Sequence, residues 1–530
     1  MRNMTFTENG ATTHLSSGME LIDQFAHAGT AMKRSLDVVF MEQAKLWDEN
    51  PEAALRFPFY LRLITRKIKV SENIRTNAVQ KGAGLRDEAL KRLLWIAYNH
   101  EEEFYKNIWL LPIVGSWKDL WTLILMDYEA IDRNFIYSVM AAGLGDNTQC
   151  DLIRKYMPAI RANSKCKSVE AKRNNQLAKE FADYLGLTYK EYRKMKASGT
   201  AHDFQKLICG RHYADIDWGK IPGKALSNLI SGKFLDNHGL TENYLKWVME
   251  QPTLKFNGYV YELGKKLHSL KGKNILSPSL AATIYTIDKQ FEGLVETAKQ
   301  DTGGLKGNIL CALDTSASMT SPIEGVGNLT SFDVCISLGI YFAALNEGYF
   351  HDTVAMFDNT SRIKQLSGTF SEKWQSIMNE EVAWGSTNFL SLVDLLCQTR
   401  MTHPEIPENE FPSTLLVVSD MQFNQTGIYN YRKEREATNL ESARALLRTA
   451  FSDEFVDKFN FIWWYCASRE GAGHDVPATM EDGGNYLLSG FDGSILTLLL
   501  GGDGLEDNQK PTMEDMVNKA LTQEIFSFVR

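Results

Sequence analysis

Asp314, Thr315, Ser316, Ala317 and Ser318 follow directly on the apolar run ILCAL, and the D-x-S-x-S spacing sets three oxygen-bearing side chains at i, i+2 and i+4. Two later loops carry compatible groups. Trp384-Gly385-Ser386-Thr387-Asn388-Phe389 opens an amphipathic stretch, and Ser419-Asp420 closes the run TLLVV. Together Asp314, Ser316, Ser318, Thr387 and Asp420 offer two carboxylates and three hydroxyls. This is a hard oxygen set, suited to Mg²⁺ or another divalent cation such as Mn²⁺ or Ca²⁺, with waters and an open position completing the shell. Zinc draws on His and Cys, which these loops lack. Taken alone, D-x-S-x-S also fits a helix cap. The order of the three loops along the chain favours the cation.

Such loops need a scaffold that brings strand ends together. From ILCAL onward, apolar strands alternate with amphipathic helices: FDVCISLGIYFAALNEG, TVAMF, FLSLVDLLCQTR, STLLVVSD, ESARALLRTAFSDEF and FNFIWWYCA. This alternation predicts a doubly wound, largely parallel α/β sheet, in which ligands gather beyond the carboxyl ends of the strands. From about residue 18 to 300 the texture differs. MELIDQFAHAGTAM, DEALKRLLWIAYNH, KDLWTLILMDYEAI and NNQLAKEFADYLG space apolar residues three or four apart without strand signals between them, which predicts an all-α bundle or solenoid. The Gly-rich segment DTGGLKGN, residues 301–308, reads as a hinge, so the expected division is 1–300 helical and 301–530 α/β.

At 530 residues, with 44% hydrophobic and 23% charged residues, the chain is of ordinary globular composition and long enough for more than one core. The seven cysteines are scattered and never form C-x-x-C, which fits a reduced compartment. No run approaches the ~18 apolar residues of a membrane span. MRNMTFTENG lacks the layout of a secretory signal. A cytoplasmic protein without membrane attachment is the expectation. Residues 1–300 carry 42 Lys and Arg against 34 Asp and Glu, a net +8, whereas the remainder carries 15 against 32, a net −17. Two parts of opposite charge point to different partners or to mutual attraction.

The segments DTSASM, GSTNF and VVSDM resemble the metal-ion-dependent adhesion site of von Willebrand factor A domains, and the resemblance implies that Asp314, Ser316, Ser318, Thr387 and Asp420 are the ligands. Met421 departs from it, because many such domains have Gly after the third-loop Asp. Earlier in the chain, TENGATTH followed by LIDQFAHAG, then GLRDEALKRLLWIA and GSWKDLWTL, resemble the opening of the TROVE module of Ro autoantigens. Those are ring-shaped helical-repeat proteins, HEAT-like in build, with an appended A domain. The chain also looks like a related uncharacterised family that joins a similar helical region to an A domain bearing W-G-x-S-T-N-F and S-D-M-x-F. Ser419 to Phe423 reproduce the second signature and Trp384 to Phe389, W-G-S-T-N-F, resemble the first with its x position missing, and YKEYRKM and IDWGKIPGKALSNL look like that family's central region.

The Ro resemblance implies binding of structured RNA, giving a non-enzymatic, ribonucleoprotein-like scaffold. The densest basic stretch, Arg154, Lys155, Arg161, Lys165, Lys167, Lys172 and Arg173, is able to neutralise several phosphates, and reads equally as a solvated helix face. Arg62, Arg66, Lys67 and Lys69, alternating with Leu63, Ile64, Ile68 and Val70, read as an amphipathic structural helix. No nucleophile with an adjacent base is apparent, so catalysis is not expected. His351, His403 and His474 fall on predicted loops, and Cys466 follows FIWWY as a core residue. The A-domain resemblance implies a cation whose open position accepts a partner protein's carboxylate. Two alternatives stand beside the RNA reading: a protein-recruiting adaptor for a MoxR-type ATPase, and an assembly protein of a virus particle or large complex. The sequence carries no signal for oligomeric state.

Overall fold

Continuous apolar runs become buried strands. In the computed structural model, which describes residues 3–29, 34–69, 74–127, 131–199, 203–231, 233–270, 277–302, 309–323, 329–380, 385–430, 435–466, 476–480, 482–490 and 512–530, the predicted strands form the middle of a six-stranded sheet. Its members are β5 (Ile309–Asp314), β6 (Thr353–Phe357), β7 (Ser361–Gln365), β8 (Thr414–Ser419), β11 (Asn460–Tyr465) and β12 (Asn485–Ser489). The order is β12-β11-β8-β5-β6-β7, parallel throughout except for antiparallel β7 at one edge. Every residue of β5, β6 and β8 is buried, as expected for strands covered on both faces. Elsewhere β1 (Met4–Phe6) pairs with β2 (Thr12–His14), β3 (Arg66–Lys69) with β4 (Arg75–Gln80), and the two-residue β9 (Tyr429–Asn430) with β10 (Arg435–Glu436).

The sheet has one point where its winding reverses. From β5 the chain crosses to β6 on one side, and later it lays β8 against the other side of β5. Loops leaving the carboxyl ends of β5 and β8 therefore diverge and leave a crevice, the usual ligand position of such sheets.

The helices around the sheet are started by local side-chain chemistry. Thr330 with Asp333, Thr369 with Glu372, and Thr438 with Glu441 form capping boxes at the helices Ser331–Leu345, Phe370–Met378 and Asn439–Leu447. The first of these is buried along its whole length, so it needs cover on the face away from the sheet. Helix Val260–Leu270 supplies that cover, and His268 Nδ1 lies 2.6 Å from Asp333 Oδ1. The long helix Pro278–Thr302 is fastened to helix Phe370–Met378: Asp288 accepts from Ser371 N and Oγ, both at 2.8 Å, and Phe291 stacks on Phe370 at 4.3 Å. At the other edge, helix Glu20–His27 packs on β12, where Ser489 Oγ donates to Phe25 O at 2.7 Å.

The chain accordingly divides into two compact units along lines other than residue 301. One comprises Met1–Ser35 and Ile221–Lys519, the other Leu36–Lys220 and Ala520–Arg530. The covering helices of residues 221–302 and the amino-terminal helix belong with the sheet. Of the expected hinge, Asp301 and Thr302 continue the long helix, and 303–308 lie outside the described residues.

The second unit is predominantly helical. Its helices include Leu36–Glu49, Pro51–Arg62, Arg86–Asn99, Trp117–Met126, Arg133–Leu144 and Val169–Tyr184, and its carboxyl-terminal segment is held by bonds such as Ile525 N to Gln80 Oε1 at 3.0 Å. Buried charges are paired: Asp119 accepts from Arg62 Nε at 2.7 Å and Arg86 Nε at 2.5 Å, and Arg92 meets Glu42 and Glu88 at 3.0 and 2.9 Å. Here the expected amphipathic helix over Arg62, Arg66, Lys67 and Lys69 is corrected. Arg62 ends a helix, while Arg66–Lys69 is strand β3, with Ile68 buried between exposed Lys67 and Lys69. The alternation was that of a strand, period two, and its length suits a strand also. With β1 and β2, this hairpin also corrects the expectation of an amino-terminal part without strands. No helix among the described residues is long and apolar enough to cross a membrane.

Candidate metal centre

Asp314 ends β5 with its side chain fully buried. Its Oδ1 accepts from Ser316 N at 2.8 Å and its Oδ2 from Ser419 Oγ at 2.5 Å. The first bond folds the D-x-S turn back on itself, and the second spans the crevice to the end of β8. Ser316 Oγ and Ser318 Oγ lie 3.1 Å apart, so the i+2 and i+4 hydroxyls share one spot, with Ser316 buried and Ser318 exposed. The turn is tied to the second loop by Ala317 N donating to Gly385 O at 3.4 Å. The second loop is tied to the third by Asn424 N donating to Thr387 O at 2.9 Å, beside a parallel bridge between Thr387 and Phe423. Thr387 and Asp420 are both buried. The five residues singled out by spacing thus lie on three mutually bonded loops at the reversal point of the sheet. Trp384 lies outside the described residues.

Negative charge is costly at this site. Burial pushes the Asp314 carboxyl well above the usual carboxylate range, the Asp420 charge pushes it the same way, and the bonds from Ser419 and Ser316 only partly offset this. Two buried carboxylates sharing one crevice repel each other, and a bound divalent ion reverses that sign. The Cys466 thiol feels the same carboxylates. Burial, and then the Asp420 charge, hold Cys466 protonated, with its Sγ 3.4 Å from Ser331 O. Among the described residues no group of three or more His, Cys, Asp or Glu is placed to hold a metal. The candidate set is of another composition, two carboxylates and three hydroxyls, which fits a hard ion.

Several supporting residues were not among those predicted. Ser419 bridges the two central strand ends. Asp358, beyond the end of β6 and fully buried, accepts from Thr315 Oγ1 at 3.2 Å, and its carbonyl accepts from Asn388 N at 2.9 Å. Asn359 Oδ1 accepts from Ser386 N and Oγ at 3.0 and 2.8 Å; it sits so close to Gly385 that a Cβ there would stand 2.2 Å from its Nδ2. An Asp-Asn pair just after TVAMF was the available signal. The third loop is clamped by the turn between β1 and β2. Thr7 Oγ1 donates to Phe423 O at 2.6 Å, Glu8 N to Gln422 Oε1 at 2.6 Å, and Asn9 Nδ2 to Gln422 O at 2.5 Å. Met421, the departure noted in the sequence, has φ +62°, the left-handed region that favours glycine, and its side chain is buried.

The basic stretch lies in the second unit. Arg154 and Lys155 are half-buried on helix Cys150–Tyr156; Arg161, Lys165 and Lys167 are exposed on the following segment; Lys172 and Arg173 are exposed on helix Val169–Tyr184. Arg154 pairs with Asp151 at 3.5 Å, and Lys155 lies over the Tyr156 ring at 5.5 Å. His351 and His403 are exposed, Cys466 is buried, and His474 lies outside the described residues.

Fold and site together define a class: a largely parallel α/β sheet with an oxygen-donor cluster at its reversal point, in one chain with a helical unit. A family model described as a domain of unknown function, DUF7788, matches residues 308–526, which take in all three loops. The chain is also similar to a protein of Acanthamoeba polyphaga mimivirus named uncharacterized protein L728, at 23% identity over 529 residues, covering 94% of this chain and 85% of that one.

Proposed function

We propose that the chain is a non-enzymatic, ribonucleoprotein-like binding scaffold whose sheet unit is a von Willebrand A-type domain holding one divalent cation, Mg²⁺ foremost. The observation that carries the metal reading is the meeting of Asp314, Ser316, Ser318, Thr387 and Asp420 on bonded loops at the reversal of the sheet, with two buried carboxylates that raise each other's cost of ionisation. When bound, the cation supplies a Lewis-acidic position that a partner protein's carboxylate completes. Asp314 and Asp420 balance its charge, and Ser419 and Asp358 hold the first loop in place.

RNA binding is the reading supported by the resemblance to Ro proteins and by charge. Leu36–Lys220 with Ala520–Arg530 carries 30 Lys and Arg against 25 Asp and Glu, whereas the sheet unit carries 27 against 41. The exposed cations from Arg161 to Arg173 offer phosphate contacts. Titrating the full chain with structured RNA at several salt concentrations tests this: affinity is expected to fall steeply with salt, and absent or salt-independent binding overturns the RNA reading. The metal reading stands or falls separately, on whether Asp314→Ala abolishes stabilisation by Mg²⁺.

A further inference from the structure

Helix Tyr189–Ser198 packs against helix Cys150–Tyr156 in the second unit, and a groove of about 470 Å³ runs along their junction, lined by Lys155, Ile160, Tyr192, Arg193, Lys196 and Gln205 among others. Among the described residues no Asp or Glu lines it. Arg161 adds a fourth positive charge close by: burial, and then the Arg161 charge, hold the Lys196 ammonium below the usual lysine range. Among the described residues none of Lys155, Arg161, Arg193 and Lys196 is paired with a carboxylate; Lys155 and Lys196 are half-buried, Arg161 and Arg193 exposed.

The side chains are partly fixed. Lys196 Nζ donates to Lys155 O at 3.0 Å and Met157 O at 2.5 Å, carbonyls at the end of helix Cys150–Tyr156. It keeps one further N–H. Arg193 Nε donates to Ile160 O at 3.4 Å, which leaves both Nη groups of its planar fork for an oxyanion. The Tyr192 hydroxyl is engaged with Pro158 O at 3.0 Å, so the ring forms wall and the cations supply the recognition. Unpaired like charges around one groove repel, and a dianion among them turns repulsion into attraction.

We propose that this groove is a phosphate-binding site, taking a phosphate group that is either free or part of a phosphodiester strand. It shares Lys155 and Arg161 with the RNA reading but enlists Arg193 and Lys196 from another helix and does not depend on that reading. Isothermal titration of the full chain with inorganic phosphate, and separately with a short single-stranded oligonucleotide, tests it. The double variant Arg161→Gln, Arg193→Gln alters two exposed side chains, and Lys118→Gln, exposed elsewhere, is the control. Saturable phosphate binding is expected for the parent and the control. In the double variant it is expected to weaken about tenfold or more, the equivalent of one charge-assisted hydrogen bond. Absent saturable phosphate binding, or equal affinity in the double variant, overturns the proposal. If phosphate binding weakens in the double variant while oligonucleotide binding does not, the groove takes free phosphate and the RNA reading rests on other residues. Saturable phosphate binding without RNA binding upholds the groove and overturns the RNA reading.

Discussion

Met421 shows how two effects compete at one position. Its left-handed backbone costs a non-glycine residue about 1–2 kcal/mol, whereas deleting a fully buried methionine side chain costs about 2–5 kcal/mol. Packing therefore outweighs strain. Met421→Gly is expected to lower stability by about 1–3 kcal/mol in denaturant unfolding despite relieving the backbone, and a stabilised variant would contradict this. The five oxygen-bearing residues around it were legible because each sits at a strand end, in a spacing visible within a few residues. Their supports were not. Ser419 bonds Asp314 across 105 positions and Thr7 bonds Phe423 across 416, and no local pattern encodes a partner that distant.

Among the elements, strands β5, β6, β8 and β11 were legible as unbroken apolar runs, and the helices as three-and-four periodicity. The errors came where pattern was short or cover was needed. RKIK carries a period-two alternation over only four residues, a strand signal easily passed over beside the helix that ends at Arg62, and edge strand β7, SRIKQ, is only half-buried and lacks the apolar signature of its neighbours. Nothing in the helices of residues 221–302 announces that they cover the sheet's buried helix, since an amphipathic face does not name what it packs on. The fastening of helix Pro278–Thr302 through Asp288 gives a pH signature. Burial, opposed by the bonds from Ser371, pushes that carboxyl up to about 6, above its unfolded value near 4. A raised folded-state value means that the group's contribution is complete below about pH 4 and is lost as pH rises through about 6. Asp288→Asn does not titrate. The melting temperature of the parent minus that of the variant is therefore expected to fall between pH 4 and pH 7, and a pH-independent difference would contradict the assignment.

At the scale of the whole molecule, the contrast in charge survives the redrawn boundary. The largely helical unit remains basic, and the sheet unit, with its cation crevice, remains acidic. On the proposed reading, nucleic acid is drawn to the basic unit by its charge, whereas a partner carboxylate is drawn to the acidic unit only through the bound cation, so removing the cation is expected to leave RNA binding intact. The central claim concerns the crevice, and the most direct test is thermal unfolding of the parent, Asp314→Ala and Asp314→Asn in chelator and in Mg²⁺. Ligand present at a hundredfold excess over its Kd stabilises by about 2.7 kcal/mol, enough for a measurable rise in Tm. The parent is expected to rise with Mg²⁺ and both variants to stay unmoved. In chelator, Asp314→Asn is expected to match or exceed the parent, because the repulsion with Asp420 is gone. A parent that ignores Mg²⁺, or an Asp314→Ala variant stabilised as strongly as the parent, would contradict the metal centre.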